Sequence, residues 1–321
     1  MSGDKSDTAV RWKSSISRLL GAPAVALTHA HRRPPCRVVV PIARLANYHA
    51  RERPRVAMAT TCFGATLECN TRDVIQRYIY LFGIWEPNIT EWIARRLQPG
   101  DVFIDIGANI GYYSLQASGL VRGEGRVFAI EASPSIFVEL EANLRLNRAA
   151  NVSPLHKAVA DREGTLQLFR AGDENIGQST TVPGRGFKME DTVTSAPLPV
   201  LIPPAELTRT RLVKIDVEGG EWPVISGMQS FLAASHEELE LIVEVDPSRP
   251  AAGTGGVERI LEVLRGFGFK PYRFANPYDF AHLAFRRVRP PIELVAPIYD
   301  ETTLLFSRRR IPTDYGSVIS A

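Results

Sequence analysis

The sequence predicts an α/β fold, a mainly parallel seven-stranded sheet with helices on both faces, preceded by an N-terminal extension. Two observations carry this reading. After Pro99-Gly100, apolar runs of strand length alternate with stretches of helical periodicity, the order that a parallel sheet with crossover helices requires. One of those strands ends in a glycine-bearing turn that passes directly into a helical stretch, Asp105-Ile-Gly-Ala-Asn-Ile-Gly111.

The strands are expected at Val102 to Ile106, Arg126 to Glu131, Val152 to Ala160, Leu212 to Val217, Leu239 to Val245, Pro271 to Phe274 and Thr303 to Ser307. Helices are expected between them at Ile110 to Leu120, Ser135 to Leu146, Glu221 to Leu232 and Gly256 to Phe267. Ser133-Pro134 marks the start of the second of these, because serine caps a helix N-terminus and proline suits the first helical position. Ahead of the alternation, Thr66 to Cys69 has strand character, while Asp73 to Leu81 and Asn88 to Leu97 have helical spacing. Residues 161–211 form an insertion that opens with a hairpin signal at Gly164 to Phe169 and continues polar and Pro-rich. Loops of that length inside a compact domain tend to be functional or disordered.

Apolar residues at 45% and charged residues at 23% give an ordinary globular composition, enough for a sizeable core. The formal charge of +3 hides an asymmetry, since residues 1–55 carry eleven Lys/Arg against three Asp/Glu and the remainder 27 against 32. Residues 1–60 therefore read as a basic, Pro/Arg-rich extension, partly disordered and solvated. Its sequence lacks a nucleic-acid-reading motif, so no nucleic acid is expected as partner. The main domain is expected over 61–310, with a short tail at 311–321. Three cysteines, Cys36, Cys62 and Cys69, are too few for a disulfide framework or a four-ligand zinc site. Leu19 to Ala30 is a poor secretory signal, interrupted by Pro23, and no stretch is long and apolar enough to span a membrane. These points lead to a cytoplasmic expectation, with the oligomeric state left open.

The turn from Asp105 to Gly111 brings backbone to the carboxyl edge of the sheet, where open α/β sheets bind ligands. Its spacing is not that of dinucleotide-binding enzymes, because Asn109 stands where their second glycine would be. A pyrophosphate is thus poorly provided for. A carboxylate at Asp105 suits a cationic ligand without phosphate, such as S-adenosylmethionine (SAM). Glu131, twenty residues past Gly111 at the end of the next strand, can accept both ribose hydroxyl protons. The cofactor residues are therefore expected to be Asp105, Gly107, Asn109, Gly111 and Glu131. The competing reading is that the glycines only make a tight turn and that Glu131 caps the following helix.

With these residues in view, the chain resembles the FkbM family of SAM-dependent methyltransferases over roughly residues 63–270. The matching features are Phe63-Gly-Ala-Thr-Leu, Gly83-Ile-Trp-Glu-Pro87, the segment Gly100 to Ser114, Gly125-Arg-Val-Phe-Ala-Ile-Glu131, Asn143 with Asn147, and Leu212-Val-Lys-Ile-Asp216-Val-Glu218-Gly219-Gly-Glu221. The last motif is the most specific. The resemblance implies a Rossmann-like class I methyltransferase fold and methyl transfer to a hydroxyl oxygen of a small molecule, commonly a sugar, glycolipid or secondary metabolite. Ala132-Ser133 departs from the family's usual Pro-Asn or Pro-Ser, and Pro183 to Pro204 is unusually long, so the acceptor does not transfer with the family.

A hydroxyl is a weak nucleophile and gains from a base or a bound cation. Asp216 and Glu218 are the expected catalytic pair at the end of the fourth strand, on one face by strand alternation. Asp216 binds the acceptor or takes its proton, and Glu218 supports it. Glu221 is read as a favourable charge at a helix N-terminus. Glu244 and Asp246 could face the same cleft, and four such carboxylates could hold Mg²⁺, but none has dedicated cage spacing, so a metal is not favoured. Of six histidines, His156 reads as packed and His236 as solvent-facing. Lys214 is placed to pair with a carboxylate. Asn175 to Thr180 either touches the ligands or is a plain polar loop. N-methylation, an NAD(P)-dependent reductase and a non-catalytic SAM-binding protein are the rival readings.

Overall fold

The computed structural model describes residues 36–170, 179–181, 187–248, 256–285 and 288–312. The poor signal at Leu19 to Ala30, and Asn175 to Gln178 of the insertion, lie outside the described residues. The described residues divide into two compact units, one of those up to Pro87 together with 277–285, the other of those from 88 to 276 together with 288–312.

In the first unit, helix α1 (Cys36–Glu52) precedes an antiparallel hairpin of β1 (Val56–Thr60) and β2 (Thr66–Asn70), followed by α2 (Val74–Phe82). The Asp73 carboxylate accepts from the Gln76 N–H to start α2, and Gly83, at φ 66°, ends it. Both are ordinary cap chemistry. Val39, Ala43 and Ala46 of α1 pack with Leu81, Phe82 and Leu283. Within the 1–60 extension, expected to be partly disordered and solvated, residues 36–60 thus hold a helix and a strand. The buried face of α1 repeats at Val39, Ala43, Ala46 and Ala50, a helical spacing written mostly in alanine and interrupted by Pro41, which hides it among arginines and prolines.

The second unit is built on an eight-stranded sheet in the order β13-β12-β14-β11-β10-β3-β4-β5. Its strands are β3 (Val102–Ile106), β4 (Arg126–Glu131), β5 (Val152–His156), β10 (Thr210–Ile215), β11 (Glu240–Val245), β12 (Lys270–Arg273), the two-residue edge β13 (Ile292–Glu293) and β14 (Thr302–Ser307). Seven are the expected strands; β13, too short for a periodic signal, is the eighth. β14 runs antiparallel to β11 and β12, and the pairs from β11 to β5 are parallel.

Helix α3 (Pro87–Arg96) leads into the sheet, α4 (Tyr112–Val121) joins β3 to β4, and α5 (Pro134–Leu146) joins β4 to β5. Ser133 and Pro134 do start α5, with the Ser133 hydroxyl accepting from the Ile136 N–H. The chain steps from β3 to β4 to β5 in one direction, and from β10 to β11 toward the opposite edge. Right-handed crossovers then put the two sets of helices on opposite faces. The point of reversal lies between β3 and β10, so the loops after these strands meet at the carboxyl edge, where such sheets take ligands.

The insertion carries its own four-stranded sheet, β6 (Ala158–Val159), β9 (Lys188–Ala196), β7 (Gly164–Arg170) and β8 (Ser179–Thr180) in that order. Val152 to Ala160 is therefore two strands in two sheets. Two single-turn helices, α6 (Leu198–Leu201) and α7 (Pro204–Leu207), return the chain to β10. The helix expected over Glu221 to Leu232 is two pieces, α8 (Glu221–Gly227) and α9 (Gln229–Ala234), meeting at Met228, and α10 (Gly256–Gly266) precedes β12. A short α11 (Phe280–Phe285) belongs to the first unit. Among the described residues no helix is long and apolar enough to cross a membrane.

Candidate active site

The loop after β3 satisfies its own backbone. The N–H groups of Gly107 and Ala108 both donate to the Ile130 carbonyl, that of Asn109 to Glu131 Oε2 at 2.9 Å, that of Ile110 to the Asn109 side chain, and that of Gly111 to the Ala108 carbonyl. Asn143, buried in α5, donates to the Ile110 carbonyl at 3.0 Å. Every N–H from 107 to 111 thus has an internal partner, and the loop offers no nest of donors to a phosphate.

Its glycines answer to the chain as well as to any ligand. Gly107 has φ 81°, and a Cβ there would lie 1.8 Å from the Asp216 carbonyl oxygen. Gly111 has φ 92°, and its Cβ would meet Leu140 Cδ1 at 2.7 Å. Left-handed backbone and close approach both favour glycine. Gly107 makes room for the chain at the end of β10.

Glu131 does two jobs. Oε2 accepts from the Asn109 N–H and Oε1 from the Ser133 N–H, each at 2.9 Å, so the carboxylate fixes both the loop and the entry to α5. Burial pushes its pKa up to about 7 against these hydrogen bonds. The Ala132 N–H acts on the carboxylate as well, and of its roughly four lone-pair sites some capacity remains for a further donor.

Asp105 is completely buried. Its Oδ2 accepts from the Ser114 hydroxyl at 2.6 Å, and Oδ1 has no hydrogen-bond partner. Burial raises its pKa to about 6, opposed first by Lys214 and then by Ser114, with Asp216 adding to the rise.

The second motif follows β10, which ends at Ile215 and not at Val217. Strand alternation therefore does not place Asp216 and Glu218 together. A turn does. Glu218 (φ 55°) and Gly219 (φ 98°) are both left-handed, and one carboxylate oxygen from each of Asp216, Glu218 and Glu244 lies within 4.8 Å of the other two. Such a group could hold a cation. It also has a cation supplied by the chain, since Lys214 Nζ is 2.8 Å from Asp216 Oδ2.

Glu221 accepts from the Gly219 N–H at 2.8 Å, at the start of α8, and burial raises its pKa to about 7. It acts on the turn, consistent with its expected place at a helix N-terminus. Asp246 accepts from both the N–H and hydroxyl of Ser248, closing a local turn. It is outside the carboxylate group. His156 packs on the Phe137 ring, with Nε2 3.1 Å from the Ala132 carbonyl, and His236 Nδ1 accepts from the Glu238 N–H.

The insertion makes two contacts at the site, one of them from Thr180, the last residue of the segment singled out in the sequence. The Thr180 hydroxyl donates to the Glu218 carbonyl at 2.6 Å. Glu190 accepts from the hydroxyls of Ser133 and Ser135 at Oε1 and of Ser179 at Oε2. Strand β8 is thus tied to the turn after β10 through Thr180, and through Glu190 to the residues after Glu131. No local pattern announces these pairings, because the partners are separated by 11 to 57 positions.

A family model described as the methyltransferase FkbM domain matches residues 105–271. The chain is 27% identical over 164 residues to the hexuronic acid methyltransferase AglP of Haloferax volcanii, covering 50% of this chain and 64% of that protein. It is 28% identical over 203 residues to the 31-O-demethyl-FK506 methyltransferase FkbM of Streptomyces tacrolimicus, covering 54% and 74%. A solved methyltransferase FkbM from Methylobacillus flagellatus shares 14% identity at a TM-score of 0.41, over 92% of this chain and 60% of that one. The chain therefore spans less than two thirds of the length of the first relative and of the solved chain.

Proposed function

Because the chain belongs to the methyltransferase FkbM domain family, we propose that it is a SAM-dependent methyltransferase acting on a hydroxyl oxygen of a small-molecule acceptor, such as a sugar, glycolipid or secondary metabolite. The observation that carries the reading is the chemistry of the loop after β3. Its backbone donors are all used internally, while Asp105 Oδ1 and the Glu131 carboxylate are the acceptors beside it. A dinucleotide's pyrophosphate would meet anions and no free N–H. A ligand with a cation and a ribose diol fits.

In this reading Glu131 accepts from the ribose hydroxyls and Asp105 faces the cationic part of the cofactor, with Gly107, Asn109 and Gly111 shaping the loop between them. SAM supplies an electrophilic methyl group. Asp216 binds the acceptor hydroxyl and takes its proton, and Glu218 and Glu244 orient it. Positioning provides much of the acceleration in such a transfer. Lys214 already gives the carboxylates a countercharge, so the reaction proceeds without Mg²⁺. Residues 161–211 contribute to the acceptor site, supported by the tie between Thr180 and Glu218. A reducing, cytoplasmic setting accords with the cysteine usage.

Mass spectrometry of extracts from cells with and without the protein tests the assignment. A species lighter by one methylene, accumulating in its absence and methylated by the purified chain with SAM, is the expected result. Methyl label on nitrogen would move the reading to an N-methyltransferase, and SAM binding without any acceptor would leave a binding protein.

A further inference from the structure

Lys214 lies in the middle of β10, in register with Asp105 of β3 on one side and Ile242 of β11 on the other. Its side chain is 5% exposed. Burying an ammonium group is costly unless anions and a polarisable face replace water. Here Nζ is 2.8 Å from Asp216 Oδ2 and 5.0 Å from the centroid of the Tyr113 ring, and its charge acts on Asp105 as well. One buried cation therefore serves two carboxylates, one at the cofactor loop and one at the acceptor motif.

We propose that Lys214 is a positioning residue whose ammonium offsets part of the negative charge of Asp105 and Asp216, and so sets how strongly the site prefers a sulfonium to a neutral sulfide. The inference rests on the methyltransferase reading above. Glu218 and Glu244, grouped with Asp216 within 4.8 Å, add to the negative charge that the ammonium tempers. When the acceptor oxygen gains the methyl group, its O–H proton passes to Asp216 and the sulfur keeps the electron pair of the broken S–C bond. Asp216 is then neutral, and S-adenosylhomocysteine is uncharged at sulfur. Loss of the sulfonium charge and neutralisation of Asp216 thus coincide, so neither charge is left without its counterpart.

The test needs no acceptor. Dissociation constants of SAM and S-adenosylhomocysteine are measured by calorimetry on the full chain and on Lys214→Met, Lys214→Arg and Asp216→Asn, at about pH 8.5, where carboxyls with modestly raised pKa values are ionised. Taking the ratio of the two constants cancels whatever Glu131 and the shared ribose and amino-acid groups contribute. Lys214→Met should raise the preference for SAM over S-adenosylhomocysteine by about tenfold, because an opposing positive charge is gone. Asp216→Asn should lower it by a similar factor, and Lys214→Arg should leave it within about twofold of the parent.

A merely structural lysine would weaken both ligands together, and an unchanged ratio in Lys214→Met overturns the proposal. Should that variant fail to fold, Asp216→Asn decides alone, a ratio equal to the parent's being the contrary result. Failure of the parent chain to bind either ligand would instead remove the methyltransferase reading on which this rests.

Discussion

The carbonyl oxygen of Asp216 fills the space that a side chain on residue 107 would occupy, 1.8 Å from where the Cβ would stand. The loop after β3 and the turn after β10 are thereby fitted together through backbone. Gly107→Ala must move one of them and also forces a non-glycine residue to φ 81°. The expected cost is about 3 kcal/mol of stability, together with a loss of SAM affinity of at least about tenfold. Chemical denaturation and calorimetry read both, and a variant as stable as the parent would show that the chain relaxes freely here.

The raised pKa of Glu131, about 7, sets opposite trends for folding and for ligand binding. Burial keeps this carboxyl protonated in the folded chain at pH values where the unfolded chain has lost the proton. Its contribution to stability is present below its unfolded value and is lost as pH rises through about 7. Ribose binding requires the ionised form. SAM affinity should therefore fall as pH drops below about 7, by up to roughly tenfold per unit, while the melting temperature without SAM holds or rises. Glu131→Gln should weaken SAM binding and remove the part of that pH dependence centred near 7, leaving the part that Asp105, at about 6, contributes. A SAM affinity independent of both pH and this substitution would take Glu131 out of the site.

Asp216→Asn keeps the shape of the side chain and removes its basicity. Turnover on the acceptor should fall by about two to four orders of magnitude, well beyond the change in SAM affinity. Exhaustive chelation of the parent chain should leave turnover unaltered. Loss of activity on chelation, restored by Mg²⁺, would instead give Asp216, Glu218 and Glu244 to a cation.

Thr180 supports Glu218 from the insertion through one hydroxyl. Thr180→Val should lower turnover by about three- to tenfold, the worth of one buried hydrogen bond, and Thr180→Ser should restore it. Equal rates in all three proteins, measured in steady state on the acceptor found by metabolite comparison, would separate the insertion from the chemistry.

Much of this arrangement was legible in the sequence because it is local. β3 and β4 are apolar runs bounded by turn chemistry, and the cap at Ser133-Pro134 is a two-residue signal, so these elements fall where the pattern puts them. Asp216 and Glu218 come together as expected, but through left-handed backbone at Glu218 and Gly219 in place of strand alternation. A pleat period presumes that the strand continues, and β10 stops at Ile215. Glu244 reaches the group through parallel pairing of β10 with β11, which sequence spacing indicates only loosely. The ties made by Glu190 and Thr180 depend on how the insertion folds back, and α1 hides a helical period in alanines. These are tertiary facts without a local sequence sign.

Titration of the purified chain with SAM, S-adenosylhomocysteine and NADH in separate thermal-unfolding series tests most directly whether the loop from Asp105 to Gly111 receives SAM. SAM and S-adenosylhomocysteine should each raise the melting temperature in a concentration-dependent way, by the equivalent of about 2.7 kcal/mol at a hundredfold excess over Kd, and NADH should have no effect. Stabilisation by NADH with none from the other two would contradict the account.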